Sequence, residues 1–140
     1  MKARINWVED RTFIGQSGSG HTLVLGRGDG PDGHSLMPSP MELVLIGLGG
    51  CTAFDVVQIL EKGRQPIMGC VVELDAERAA SDPKVFTGIT LHFIVTGQGL
   101  DPAKVDRAIK LSAEKYCSAS AMIGKTAAIT HDFDIVEPPA

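Results

Sequence analysis

The chain has 140 residues, a net charge of -4 and a hydrophobic content of 44%. This length predicts one domain over residues 1–140, and this composition is typical of a folded chain rather than a disordered one. Nucleic-acid binding requires clustered lysines and arginines, which this acidic chain lacks, so we predict no nucleic-acid partner.

The N-terminal segment lacks the apolar core and small-residue cleavage site of a signal peptide. The longest charge-free apolar stretch, residues 43–54, is shorter than the roughly 20 residues that span a bilayer as a helix. Three cysteines, an odd number, do not indicate a disulfide framework. We therefore expect a cytoplasmic protein that does not bind membranes.

The N-terminal part of the chain predicts a meander of three strands. Polar and apolar residues alternate over 3–7, and two further short runs follow at 12–15 and 21–25, with a turn over 16–20 between them. Residues 26–40 are rich in glycine and proline, which predicts a long loop.

A helix is predicted after this loop. Ser39, Pro40 and Glu42 form a capping-box pattern at its start, and we expect it to end near Lys62. Its first half is apolar nearly all round, so we expect the helix to be buried. It contains three closely spaced glycines: Gly47, Gly49 and Gly50. Such glycines allow another helix or chain to approach closely.

The second half of the chain predicts further strands and helices. They are a hairpin of 69–78 and 88–96, a helix capped by Asp101, a short helix over 119–126 and a closing strand over 128–136. The resulting order, β-β-β-α-β-β-α-α-β, indicates an α+β fold.

Cys51 and Cys117 are candidate redox residues. Cys117 precedes a predicted helix start, where free backbone N–H groups favour a thiolate. Cys51 shares a helix face with apolar residues upstream and with Asp55 downstream, as a thiol at the lip of a hydrophobic pocket would. The carboxylate of Asp55 disfavours a thiolate beside it unless a cation intervenes. The alternative is that both cysteines, like Cys70, are packing residues.

Four segments carry a resemblance to a known family. They are Ser-Pro-Met-Glu-Leu at 39–43, Gly-Gly-Cys at 49–51, Leu-His-Phe-Ile-Val-Thr-Gly at 91–97 and Ser-Ala-Glu-Lys-Tyr-Cys-Ser at 112–118. Together they resemble the OsmC/Ohr family, most closely its YhfA-like branch, over nearly the whole chain. The resemblance implies an OsmC-like fold and an intertwined homodimer whose central helices pack across the interface.

The characterised members of this family are thiol peroxidases. The resemblance therefore implies that Cys51 attacks an organic hydroperoxide and that Cys117 resolves the resulting sulfenic acid to a disulfide. A dithiol reductant would restore the pair, and neither a metal nor an organic cofactor is needed. The four histidines are scattered without ligand spacing, so the sequence itself predicts no metal site.

The chain departs from the family pattern in the residues that activate the thiol. Met41 stands where the family has a glutamate that positions an arginine against the nucleophile, and the turn over 16–20 contains no arginine. The candidate supporting residues are Glu42, Asp55 and Arg27. Two alternatives stay open, namely a non-catalytic homodimer that binds a small apolar ligand in the same pocket and a purely structural dimer.

Overall fold

The computed structural model describes residues 1–28, 30 and 34–138. Its elements are β1 (Ala3–Glu9), β2 (Thr12–Ser17), β3 (Thr22–Gly26), α1 (Pro40–Lys62), β4 (Ile67–Arg78), β5 (Phe86–Gly97), α2 (Pro102–Leu111), a π-helical turn (Ser112–Tyr116), α3 (Ser118–Ile123) and β6 (Ala128–Val136). The predicted α+β order is confirmed. Within the predicted loop over 26–40, residues 29 and 31–33 lie outside the described residues.

The chain divides into two compact units, Met1–Ile46 and Gly47–Ala140, and the boundary between them falls within α1. The prediction of a single domain over residues 1–140 stays a prediction. The first unit contains an antiparallel sheet with the strand order β1-β2-β3.

The start of α1 confirms the predicted capping box. The backbone N–H of Ser39 donates to Glu42 Oε2 at 2.7 Å, and the backbone N–H of Glu42 donates to Ser39 Oγ at 3.3 Å. These two bonds satisfy N–H groups that have no partner within the helix. The hydrogen bonds from Ser39 also lower the pKa of the Glu42 carboxyl, since they stabilise its charged form.

The second unit is built on a sheet with the order β4-β5-β6, in which β4 and β5 form the predicted antiparallel hairpin and β6 runs parallel to β5. One face of β5 is apolar and buried, as its alternating sequence predicts. Its residues pack in a core with α1 and α2, whose members include Leu48, Val56, Leu60, Ile89, Leu91, Phe93, Val95, Val105, Ala108 and Ile109.

Gly49 brings α1 close to β4. A Cβ atom at this position would lie 2.7 Å from Cδ1 of Leu74, so a larger residue would force that side chain to move. Gly47 and Gly50 differ from Gly49, because a Cβ atom at either would meet nothing within 4 Å. One of the three glycines thus serves packing within the chain, and the other two leave the helix backbone open to a further partner.

The chain buries one face of α1 and leaves other apolar residues of this helix exposed. Leu48 and Val56 are fully buried, whereas Phe54 is 67% exposed. The helix has 23 residues and a mean hydropathy of 1.9 over its most apolar window, so by length and composition alone it could cross a membrane. The charge-free stretch 43–54 is shorter than the window over which this test is met, because the test allows up to two charged residues. Core helices of globular proteins pass the same test, and 28% of this window is buried in the part of the chain that the structure describes.

Candidate functional site

Helix α1 presents Cys51 and Asp55 on the same face. The two residues are four positions apart, a spacing that makes side chains neighbours on a helix surface. Both side chains are half-buried. The capping residues at the start of α1 belong to the first unit, whereas Cys51 and Asp55 belong to the second.

The π-helical turn after α2 sets the position of Cys117. The backbone N–H of Cys117 donates to the carbonyl oxygen of Ser112 at 2.9 Å, an i→i+5 bond. Continuation of the α-helix would rotate Cys117 about 140° away from Ser112, since each residue turns an α-helix by about 100°. The π turn instead keeps both residues on one side, and such turns are frequent at functional sites.

Cys117 is the N-cap residue of α3, and the sequence predicted that it precedes a helix start. Its Sγ accepts the backbone N–H of Ser120 at 3.3 Å. The side chain is buried, with 3% of its surface exposed. Cys117 therefore lies between two helical segments with its thiol directed towards the interior rather than towards solvent.

These elements bring Cys51, Asp55 and Cys117 together. The two Sγ atoms and a carboxylate oxygen of Asp55 all lie within 4.8 Å of one another. A disulfide has an S–S distance of about 2.05 Å, so the two sulfurs need only approach further to bond. Although 66 positions separate the cysteines in the sequence, they occupy one site in the fold.

Ser112 links the two helices that carry this site by a hydrogen bond to Asp55. Its Oγ donates to Oδ2 of Asp55 at 3.1 Å, and the serine itself is 1% exposed. The bond links α1 to the end of α2 across 57 positions of sequence. Helical periodicity predicts only that Ser112 continues the apolar stripe of α2. A serine in an otherwise apolar stripe was the one signal in the sequence that could have indicated this contact.

The electrostatics of the site favour a protonated Cys117. Burial raises the pKa of the Cys117 thiol, the hydrogen bonds from Ser120 lower that pKa, and the neighbouring Cys51 thiol raises it, with a net upward shift. Burial has the largest effect, because a thiolate loses its hydration in an apolar environment. Cys117 therefore keeps its proton more readily than an ordinary cysteine does.

Two spaces adjoin the site within the second unit. An apolar cavity of about 10 Å³ lies between the sheet and the helices, beside Thr52, Ser112, Ser120 and His131, and is at the lower limit of the space that one water needs. A larger groove of about 260 Å³ opens beside Asp55 and is lined by Asp55, Gln58, Ile59, Lys62, Leu111 and Tyr116. The groove is amphipathic, whereas the sequence predicted a hydrophobic pocket.

The other candidate residues have their own local contacts. Glu42 is engaged in the cap of α1, and the backbone N–H of Arg27 donates to the carbonyl oxygen of Arg11 at 3.1 Å within the first unit. The supporting roles of Glu42 and Arg27 stay predictions. Cys70 lies half-buried on β4, and burial raises the pKa of its thiol. That environment fits the packing role predicted for Cys70.

A family model described as OsmC-like protein matches residues 31–132. The chain belongs to this family. It is 52% identical to protein YhfA of Escherichia coli strain K12 over 136 residues, which cover 97% of this chain and 98% of that protein. The family and the branch that the sequence motifs resemble are thereby confirmed.

Solved structures of similar fold extend the comparison. A hypothetical protein from Aquifex aeolicus is 26% identical, with a TM-score of 0.86 over 99% of this chain and 97% of the other. The organic hydroperoxide resistance protein OhrB of Bacillus subtilis is 15% identical, with a TM-score of 0.64 over 96% of this chain and 98% of the other. The OsmC-like fold is therefore shared by proteins named for resistance to organic hydroperoxides.

We predict that Ser120→Ala raises the pKa of Cys117 further. The substitution removes a hydroxyl hydrogen bond that lowers this pKa and leaves the desolvation that raises it. The pKa is measured by NMR from the Cβ chemical shift of Cys117 against pH. Ser118→Ala, an exposed serine in the same turn, is the matched control and should leave the titration unchanged. An unchanged or lowered pKa in Ser120→Ala would contradict the role given to this hydroxyl.

Proposed function

We propose that this chain reduces organic hydroperoxides with the thiols of Cys51 and Cys117. The observation that carries this function is the distance of at most 4.8 Å between the two sulfurs. Membership of a family that includes named organic hydroperoxide resistance proteins supports the same chemistry. Two thiols this close can pass through a sulfenic acid to a disulfide without a large movement of the backbone.

The proposed reaction balances with these two thiols. The thiolate of Cys51 attacks the terminal peroxide oxygen, the O–O bond breaks, and the departing alkoxide takes up a proton to leave as an alcohol. The Cys117 sulfur, on losing its proton, attacks the sulfenic sulfur and releases water as the disulfide forms. A dithiol reductant then returns two electrons and two protons. A cytoplasmic location, which we also propose, would supply such reductants.

Cys51 takes the attacking role because it is the more accessible thiol of the pair. Cys117 is buried and its raised pKa keeps it protonated, which suits a resolving thiol that reacts only after the sulfenic acid has formed. The groove beside Asp55 offers Ile59 and Leu111 to the alkyl group of a peroxide.

We further propose that the chain acts as a homodimer. An apolar depression of about 330 Å³ on α1 and β4 is lined by residues that include Phe54, Val57 and Cys70. Gly47 and Gly50 leave the helix backbone open to close approach. A second copy of α1 would cover this surface, as exposed apolar patches of monomers rarely persist without a partner.

The dimer is tested with Phe54→Glu, which places a charge in the proposed interface. We expect the wild type to have twice the 14.8 kDa mass of one chain by light scattering, and the variant to shift to the monomer mass. Met122→Glu is the control, because Met122 is 69% exposed but lies on α3. Circular dichroism reports whether each variant is folded. A wild type of 14.8 kDa would contradict the dimer, as would a folded Phe54→Glu variant that stays dimeric.

Binding of a small apolar ligand without catalysis is the second candidate function. It is favoured by Met41, which stands where the family pattern has an activating glutamate, and by the raised pKa of Cys117. A thiol without an activating cation reacts slowly with peroxides. This candidate predicts saturable binding of a hydroperoxide or of its alcohol with no change in thiol content.

The two candidates are separated by thiol counting after addition of cumene hydroperoxide to the reduced protein. For the peroxidase, we expect loss of two of the three thiols and a peptide-mapped Cys51–Cys117 disulfide. Cys51→Ser should then lose all peroxide consumption. Cys117→Ser should still consume one equivalent and retain Cys51 as a sulfenic acid that a dimedone probe captures.

Cys70→Ser is the matched control for these substitutions, since Cys70 lies outside the site and should leave both thiol loss and disulfide formation intact. Three unchanged thiols in the peroxide-treated wild type would refute the peroxidase. Consumption of peroxide by Cys51→Ser at the wild-type rate would refute the role given to Cys51.

A further inference from the structure

The site contains the donor atoms of a metal centre as well as a thiol pair. Two sulfurs and one carboxylate oxygen, from Cys51, Cys117 and Asp55, lie within 4.8 Å of one another. In a tetrahedral zinc site, with Zn–S of about 2.3 Å and Zn–O of about 2.0–2.2 Å, neighbouring donors are about 3.5–4 Å apart. Small side-chain rotations would therefore bring all three donors to ligand distance of one ion.

The site carries a carboxylate that a cation would stabilise. Asp55 is half-buried beside the two cysteine sulfurs. Among the residues that the structure describes, no lysine or arginine forms an ion pair with Asp55. A partly buried carboxylate is stabilised by a nearby positive charge. A divalent cation bound by all three groups would supply that charge and displace the thiol protons.

The groups around the donors resemble the outer shell of a metal site. Ser112 donates to the carboxylate of Asp55 at 3.1 Å, and Ser120 donates to Sγ of Cys117 through its backbone N–H at 3.3 Å. Hydrogen bonds of this kind orient metal ligands and tune their affinity. The bond from Ser112 uses Oδ2 of Asp55 and leaves Oδ1 without that donor.

We propose that Cys51, Asp55 and Cys117 bind one Zn²⁺ ion per chain. Two thiolates with a carboxylate favour a thiophilic divalent ion of this kind over Mg²⁺ or Ca²⁺, which prefer oxygen ligands alone. Asp55 lines the larger groove, from which water or a small ligand would supply a fourth ligand. This site goes beyond the proposed peroxidase, which uses the same thiols without a metal, and a bound ion would protect both thiols from peroxide.

The site is tested on the full-length reduced chain, freed of metal with a chelator and titrated with Zn²⁺ in competition with a chromophoric chelator. We expect saturation at one ion per chain. Co²⁺ used as a spectroscopic substitute should give thiolate-to-cobalt charge-transfer bands and the intense visible bands of a tetrahedral site. Both signals should disappear in Cys51→Ser and in Cys117→Ser, and Cys70→Ser should retain them.

Two substitutions test the carboxylate and its outer shell. Asp55→Asn keeps the size of the side chain and removes its charge, and Ser112→Ala removes only the hydrogen bond that orients the carboxylate. We expect Ser112→Ala to weaken Zn²⁺ binding by about 10- to 100-fold. Asp55→Asn should weaken it at least as much. Circular dichroism of each metal-free variant shows whether the fold is retained.

Saturable Zn²⁺ binding that persists in Cys51→Ser, or that is lost in Cys70→Ser, would overturn this site. The same conclusion follows if the wild type shows no thiolate-to-cobalt bands. Unfolding of one cysteine variant leaves the assignment testable through the wild-type Co²⁺ spectrum and through Ser112→Ala. None of these measurements uses peroxide, so failure of the metal site and failure of the proposed peroxidase are distinguished.

Discussion

The hydrogen bond from Ser112 to Asp55 is the interaction on which the candidate site depends. It joins the middle of α1 to the end of α2 at 3.1 Å, and the serine that makes it is buried. A hydrogen bond to a charged group contributes up to about 1.5–3 kcal/mol, and less where water reaches the half-buried carboxylate, as it does here. Because the same serine accepts the backbone N–H of Cys117, it fixes the second cysteine beside the helix that carries the first.

This arrangement gives the two cysteines different properties. Cys51 lies half-buried on a long helix, one turn before Asp55, which lines the larger groove, whereas Cys117 is buried and its pKa is raised. In the proposed peroxidase, Cys51 reacts with the substrate and Cys117 reacts with the resulting sulfenic acid. Asp55 adds a negative charge to the pair, which is unfavourable for a thiolate but favourable for a bound cation. The peroxidase and the metal site that we propose are thus two uses of one set of donor atoms.

The predictable parts of the fold rest on short-range interactions. Ser39 and Glu42 are three positions apart, and Asp101 caps α2 through the N–H of Ala103 two positions on, so the residues involved are visible in a single window of sequence. The contact between Ser112 and Asp55 could not be predicted in this way, because these residues are 57 positions apart. The pairing of Cys51 with Cys117 was anticipated only through resemblance to a family, since no local pattern relates two helices so distant in sequence.

Equilibration in glutathione redox buffers tests most directly whether Cys51 and Cys117 form one site. The Cys70→Ser chain is used, so that only these two thiols remain, and the products are quantified by mass spectrometry of intact protein and peptides. Two sulfurs within 4.8 Å should form an intramolecular disulfide with almost no mixed disulfide accumulating. Stable glutathione adducts on both cysteines, without a Cys51–Cys117 bond, would contradict the account.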